Sequence, residues 1–192
     1  KVTSGGATST VTITAGLTEM SDLANYKAVR RTPVCTTYRN TWVCGMGPPS
    51  SGGIAVAQSL GILENFDLAA LPPTAVNGEG GKPSVQGVHL VSEAQRLAYA
   101  DRNKYVADTD FVPLPGSGVD SMVAKDYLKA RAALISTTKS MGTAAAGAFP
   151  AAKPAGVSAA EGNGTTHMAI VDKAGNVVVM TTTIESGMGS FH

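Results

Sequence analysis

Thr165-Thr166-His167-Met168-Ala169-Ile170-Val171-Asp172 and Asn176-Val177-Val178-Val179-Met180-Thr181-Thr182-Thr183-Ile184 stand on either side of Lys173-Ala174-Gly175. Both flanks are rich in β-branched residues and predict two strands. A three-residue hairpin loop is a type I turn followed by a left-handed residue, and Gly175 adopts that conformation without steric cost. The loop pairs Asp172 with Asn176. Counting back along both strands then sets Thr165 opposite Thr183, so two hydroxyls face one another at the open end. Apolar residues on both faces predict a central ribbon covered on both sides. Spacing alone leaves two readings open. One is a buried ribbon whose Thr–Thr pair contributes under about 1 kcal/mol; the other is a pair of hydroxyls set up for chemistry.

The residues before the ribbon, 136–164, are rich in Ala, Gly, Ser, Thr and Pro and nearly free of large apolar side chains. That is linker composition, and it predicts a mobile approach to Glu161-Gly162-Asn163-Gly164. The expected organisation is therefore a helix-rich segment over 1–135, a flexible linker over 136–164 and an opening β-hairpin over 165–192. Within the first segment, 1–17 read as an irregular lead-in or an edge strand. Ser21-Asp22 are placed to cap a helix running to about Arg30. Helices are also expected over 54–63, 84–107 and 121–135. Leu90, Ala94, Leu97, Ala98 and Asp101 form one stripe of the second of these. Gly78-Glu79-Gly80-Gly81-Lys82-Pro83-Ser84 only imitates a phosphate loop, because Pro83 stands where Ser or Thr must follow the Lys and no apolar strand precedes it.

A second hairpin lies in Val34-Cys35-Thr36-Thr37-Tyr38-Arg39-Asn40-Thr41-Trp42-Val43-Cys44. A two-residue turn at Arg39-Asn40 brings Cys35 opposite Cys44 in a non-hydrogen-bonded pair, with Cα atoms about 4.5 Å apart. That distance permits a cross-strand disulfide, which implies an oxidising compartment. The other reading is two buried free thiols. With histidines only at 89, 167 and 192, no zinc-ligand spacing is present, and no metal or other cofactor is expected.

The chain has 192 residues, enough for one domain with a real core, and 15% of them are charged. With 15 Lys+Arg against 14 Asp+Glu the net charge is +1, which gives no support to a nucleic-acid surface or a polybasic membrane anchor. No apolar run approaches the roughly 18–20 residues of a membrane span. The chain starts at Lys1 and stops at His192 straight after a strand-like run, and it is expected to be a piece of a larger protein.

Residues 164–184 resemble the maturation site of the γ-glutamyltransferase (γ-glutamyltranspeptidase) family. Three further stretches stand in that family's order: Val34-Cys35 through Cys44-Gly45-Met46, Pro48-Pro49-Ser50-Ser51-Gly52-Gly53-Ile54, and Glu93 through Arg102 with Asp108-Thr109-Asp110-Phe111-Val112. The resemblance covers roughly residues 17–192, the late large subunit and the first strands of the small subunit. It implies an α+β fold, part of the αββα sandwich of N-terminal-nucleophile hydrolases. It further implies self-cleavage between Gly164 and Thr165, with Thr165 as the freed nucleophile and Thr183 orienting its hydroxyl. The implied partners are glutathione or other γ-glutamyl donors, amino-acid or peptide acceptors or water, and the remaining subunit segments. A periplasmic or secreted location fits the expected disulfide.

Glu185 departs from the Asn that many members carry, where it would contact the substrate α-amino group; a solvated strand-end charge is the other reading. The family's carboxylate-clamping Arg would lie before Lys1, and its Ser-Ser pair and Gly-Gly oxyanion hole after His192. The isolated chain is accordingly expected to be inactive. A related acylase acting on glutaryl or β-lactam side chains, and a non-catalytic uncleaved module, are the alternatives.

Overall fold

The computed structural model describes residues 16–74, 81–149 and 165–184, and the backbone of two short strands near the N-terminus. In chain order the elements are β1 (Val2–Ser4), β2 (Ala7–Ser9), α1 (Met20–Asn25), β3 (Val34–Tyr38), β4 (Thr41–Gly45), α2 (Gly52–Leu63), α3 (Val85–Tyr105), α4 (Val119–Val123), α5 (Lys125–Ala132), β5 (Thr165–Val171) and β6 (Val177–Thr183). A single 3-10 turn covers Leu68–Ala70. The strands form three antiparallel pairs, β1–β2, β3–β4 and β5–β6, so the chain is α+β. It divides into two units, residues 30–157 and residues 1–29 with 158–192.

In the unit 30–157, α2 packs against α3, α5, β3 and β4. Ser84 caps α3, its Oγ accepting the Gly87 N–H at 3.0 Å. All five residues of the expected α3 stripe are buried. Leu90, Ala94 and Leu97 join Ile62, Leu63, Leu128, Ala132 and Ile135 in one core cluster. A second cluster gathers Val34, Ile54, Ala57, Tyr105 and Met122. Two glycines set the backbone spacing around α2. A Cβ on Gly61 would lie 2.2 Å from Leu128 Cδ1, and one on Gly53 would lie 2.3 Å from the Met46 carbonyl oxygen. The Pro48–Gly53 stretch is thus a turn into a helix that must press against the end of β4.

The β3–β4 hairpin has the expected register, with Tyr38 opposite Thr41 and Cys35 opposite Cys44. Arg39 and Asn40 both take positive φ, 46° and 67°, as a two-residue hairpin loop requires. A bulky residue at positive φ needs outside support. Here the Arg39 N–H donates to Glu64 Oε1 at 3.1 Å, while Lys125 Nζ donates to the Thr37 carbonyl and pairs with Glu64. Cys35 and Cys44 are joined by a disulfide, with Cα atoms 4.1 Å apart.

Two expectations need correction. Helix α1 covers Met20–Asn25 rather than 21–30. Its cap is Glu19, whose N–H is held by the Asp22 carboxylate at 2.8 Å. The helix expected over 121–135 is two helices broken at Ala124, which has ψ 130°. The Met122 carbonyl, which would continue the helix by accepting from residue 126, takes the side-chain N–H of Gln58 instead, at 3.0 Å.

Of the expected linker 136–164, residues 150–164 lie outside the described residues, leaving 136–149. This stretch is pinned to α3 and α5 by buried acids. Glu93, 1% exposed, accepts from the Met141 N–H at 2.8 Å and the Ser140 hydroxyl at 2.9 Å. Asp101, also 1% exposed, accepts from the Gly147 N–H at 2.7 Å, from Arg131 and Gln58 at 3.2 Å, and from the Tyr127 hydroxyl. The Tyr105 hydroxyl donates to the Gly147 carbonyl, and Phe149 packs on Tyr105 and Tyr127. Small residues leave the backbone accessible, and at Gly147 an added Cβ would fall 1.9 Å from the Tyr127 hydroxyl. Burial pushes the Glu93 carboxyl up, but the bonds from Met141, Ser140 and Arg96 outweigh it and leave the group below the usual range. Burial, followed by the bond to Asp101, raises the Tyr127 hydroxyl.

The cover expected over β5–β6 is not supplied by the described residues of this chain. Both faces of that ribbon are exposed, with Ile170 at 60% on one face and Val179 at 57% on the other. Two strands alone have no second layer in which to bury a face.

Candidate active site

The ribbon β5–β6 is built outward from its loop. Gly175 takes φ 83° and its N–H donates to the Asp172 carbonyl at 3.1 Å. The Asp172 N–H donates to the Asn176 carbonyl at 3.0 Å. The Asp172 carboxylate closes the turn by accepting from the Asn176 side chain and backbone and from the Ala174 N–H, at 2.8–2.9 Å. These bonds, the Asn176 side chain foremost, hold its carboxyl below the usual range.

From that closed pair the register runs Val171 opposite Val177, through Met168 opposite Met180, to Thr165 opposite Thr183. Hydrogen-bonded and non-hydrogen-bonded pairs alternate along an antiparallel ladder. Because Asp172/Asn176 is a hydrogen-bonded pair, Thr165/Thr183 falls on a non-hydrogen-bonded one, where facing side chains come closest. The same parity applies to His167/Thr181. There the ring Nδ1 lies 2.8 Å from Thr181 Oγ1.

One face of the ribbon therefore changes character along its length. Val171, Val177, Ala169 and Val179 lie toward the loop, and His167, Thr181, Thr165 and Thr183 lie at the open end. Of the site residues expected from sequence, the structure brings Thr165 and Thr183 together in register. Gly164 and Glu185 lie outside the described residues. Sequence reasoning passed over His167, although the two-residue period of a strand already put it on the face of Thr165.

The other unit carries an open cleft of about 410 Å³, lined by Arg31, Thr32, Cys35, Thr109 and Asp120 among others. Its one guanidinium is committed to Asp110 through two hydrogen bonds. The cleft lacks the paired hydroxyls of the ribbon.

A family model described as gamma-glutamyltranspeptidase matches residues 7–192. The chain belongs to the gamma-glutamyltranspeptidase family. It is similar to the glutathione hydrolase proenzyme of Escherichia coli K12, with 38% identity over 175 residues, 91% of this chain and 27% of that protein. It is about as similar to the acylase ACY 1 proenzyme of Pseudomonas sp. strain V22, at 37% identity over the same lengths. Among solved structures it resembles the gamma-glutamyltranspeptidase of Helicobacter pylori, with a TM-score of 0.57 and 37% identity over 66% of this chain and 33% of that one. The chain thus spans about a quarter of the length of these curated relatives. No helix among the described residues is long and apolar enough to cross a membrane.

Proposed function

We propose that the protein carrying this chain is a γ-glutamyltransferase and hydrolase whose nucleophile is Thr165. The observation that carries the reading is the register of Thr165 opposite Thr183 at the open end of β5–β6, in a chain of this family. A Thr hydroxyl is a weak nucleophile, and an N-terminal Thr brings its own amine as the adjacent base. Maturation supplies that amine. Thr165 Oγ adds to the Gly164 carbonyl, the C–N bond breaks as the nitrogen takes the proton, and water opens the resulting ester.

In the mature enzyme Thr165 Oγ adds to the amide carbonyl of a glutathione-like donor. The leaving amine takes the proton, and a γ-glutamyl ester remains on Thr165. Water or the amine of an amino acid or peptide resolves it. Thr183 orients the nucleophile across the ladder, and the Glu185 carboxylate holds the donor's α-ammonium. The Cys35–Cys44 disulfide supports a periplasmic or secreted location; fractionation of the producing cells tests it.

The deciding experiment is intact-mass analysis of the full-length protein. The wild type should appear as two chains, the smaller beginning at Thr165, and Thr165→Ala as one uncut, inactive chain. Normal cleavage of Thr165→Ala would disprove the assignment. A second reading, an acylase for glutaryl or β-lactam side chains on the same nucleophile, is favoured by the near-equal identity to the acylase proenzyme. Comparing kcat/KM for a γ-glutamyl anilide and a glutaryl amide separates the two: the proposed function requires the first to be the better donor.

A further inference from the structure

We propose that the Cys35–Cys44 disulfide is a modification site for small thiols of the glutathione class, with Cys44 the sulfur attacked. The inference rests on the reading above only for the reagent, since a glutathione-like donor brings a thiol to the protein at every encounter; the exchange needs nothing from Thr165. Three observations converge. The two-residue period of the strands puts Cys35, Thr37, Trp42 and Cys44 on one face of β3–β4 and Val34, Thr36 and Val43 on the other. Val34 and Thr36 are buried, so the second face is the packed one. The disulfide lies on the outward face, where Cys44 and Trp42 are exposed and Cys35 is half-buried. Cys35 also lines the open cleft of about 410 Å³, beside Pro33 and Pro48.

The third observation is that the hairpin has holds without sulfur. Glu64 accepts from the Arg39 N–H, Lys125 donates to the Thr37 carbonyl, the Gly53 N–H donates to the Met46 carbonyl just past β4, and Val34 sits in the core with Ile54 and Tyr105. Opening the bridge therefore uncovers no core surface. Exposed disulfides are the labile ones, and a bridge between residues nine apart gains little from loop closure. A thiolate attacks Cys44 Sγ and bonds to it. The Cys35–Cys44 bond breaks, and its electron pair leaves on Cys35 Sγ, which takes a proton from water at the cleft. A second small thiol attacking the added sulfur frees Cys44 and departs as a small-molecule disulfide. The ladder keeps Cys35 opposite Cys44, so attack by the Cys35 thiolate on Cys44 expels the small thiol and restores the bridge.

The test uses the full-length protein, wild type and Thr165→Ala, under native conditions with reduced glutathione. Samples are quenched by alkylation with N-ethylmaleimide and read by intact mass and peptide mapping, with thermal unfolding alongside. The bridge should open at a rate within about 10-fold of that of an unstructured cystine peptide in the same buffer, and the protein should still unfold cooperatively. Cys35→Ser treated with oxidised glutathione should gain one glutathionyl group, on Cys44. Cys44→Ser should gain its group on Cys35 at least about 5-fold more slowly, because Cys35 is the less exposed thiol.

A bridge that opens only when denaturant has unfolded the protein overturns the proposal. So does collapse of the cooperative transition as the bridge opens, which would make the disulfide purely structural. Equal rates in the two single variants overturn the assignment of Cys44. Thr165→Ala keeps the two readings apart. If it stays uncut and inactive while the bridge resists glutathione in both proteins, only the exchange site fails. If it is cleaved normally while the bridge opens in both, only the nucleophile assignment fails.

Discussion

The β3–β4 and β5–β6 hairpins share a residue vocabulary of Val, Thr and a few aromatics or sulfurs, and they are held in different ways. The first is stitched by Cys35–Cys44 and docked at its tip by Glu64 and Lys125. Val34 buries its inner face against Ile54 and Tyr105. The second has its register closed at the Asp172–Asn176 turn and, within this chain, exposes both faces. Turn chemistry is therefore enough to set which residues face each other. Packing is a separate matter, and it decides how firmly they do so.

The contrast can be broken most sharply from the packed side. Asp101→Ala leaves Arg131 buried without its carboxylate and removes the anchor of Gly147. It should destabilise the unit 30–157 by about 3–5 kcal/mol, read as a fall in the denaturant midpoint at unchanged slope. Little change would mean that the buried acids do not pin 136–149. Glu93 adds a pH signature. Its carboxyl is lowered in the folded state, so its contribution is present above the ordinary carboxylate range and is lost as pH falls through the folded value. Glu93→Gln should flatten the stability loss between neutral and acid pH, measured by urea titrations at several pH values.

A smaller effect is expected at the stitched hairpin. The disulfide closes a loop of nine residues' separation, and Cys35→Ser with Cys44→Ser should cost about 2 kcal/mol. Thiol counting on unreduced, denatured wild type should find neither cysteine reactive. The smallest effect belongs to the turn of β5–β6. Gly175 at φ 83° has open space around an added Cβ, so Gly175→Ala carries only the left-handed backbone cost, about 1 kcal/mol. A larger loss in thermal unfolding would show that the turn is doing more than closing the ribbon.

Much of the candidate site was legible before any coordinates. The three-residue loop with Gly175, and the period of two, were sufficient to pair Thr165 with Thr183. Parity also placed His167 on their face, but the bond from its ring to Thr181 depends on a rotamer that strand pattern does not encode. The α3 stripe was legible for the same reason as the register, since a period of 3.6 residues maps sequence spacing directly onto one side of a helix.

What sequence alone determined here are the features closed by local rules: both hairpin registers, the opposition of Cys35 and Cys44, and the buried side of α3. Tertiary structure decided the features whose partners lie far along the chain. The helix break at Ala124 follows from Gln58 capturing the Met122 carbonyl, a contact that no local pattern contains. The ordering of 136–149 depends on Glu93 and Asp101, two acids that look like ordinary helix charges until burial forces them to find donors. Composition read that stretch as linker because small residues bring little apolar area of their own. The same small residues let the backbone come within hydrogen-bonding reach of buried carboxylates, and that outcome depends on where α3 and α5 have already packed.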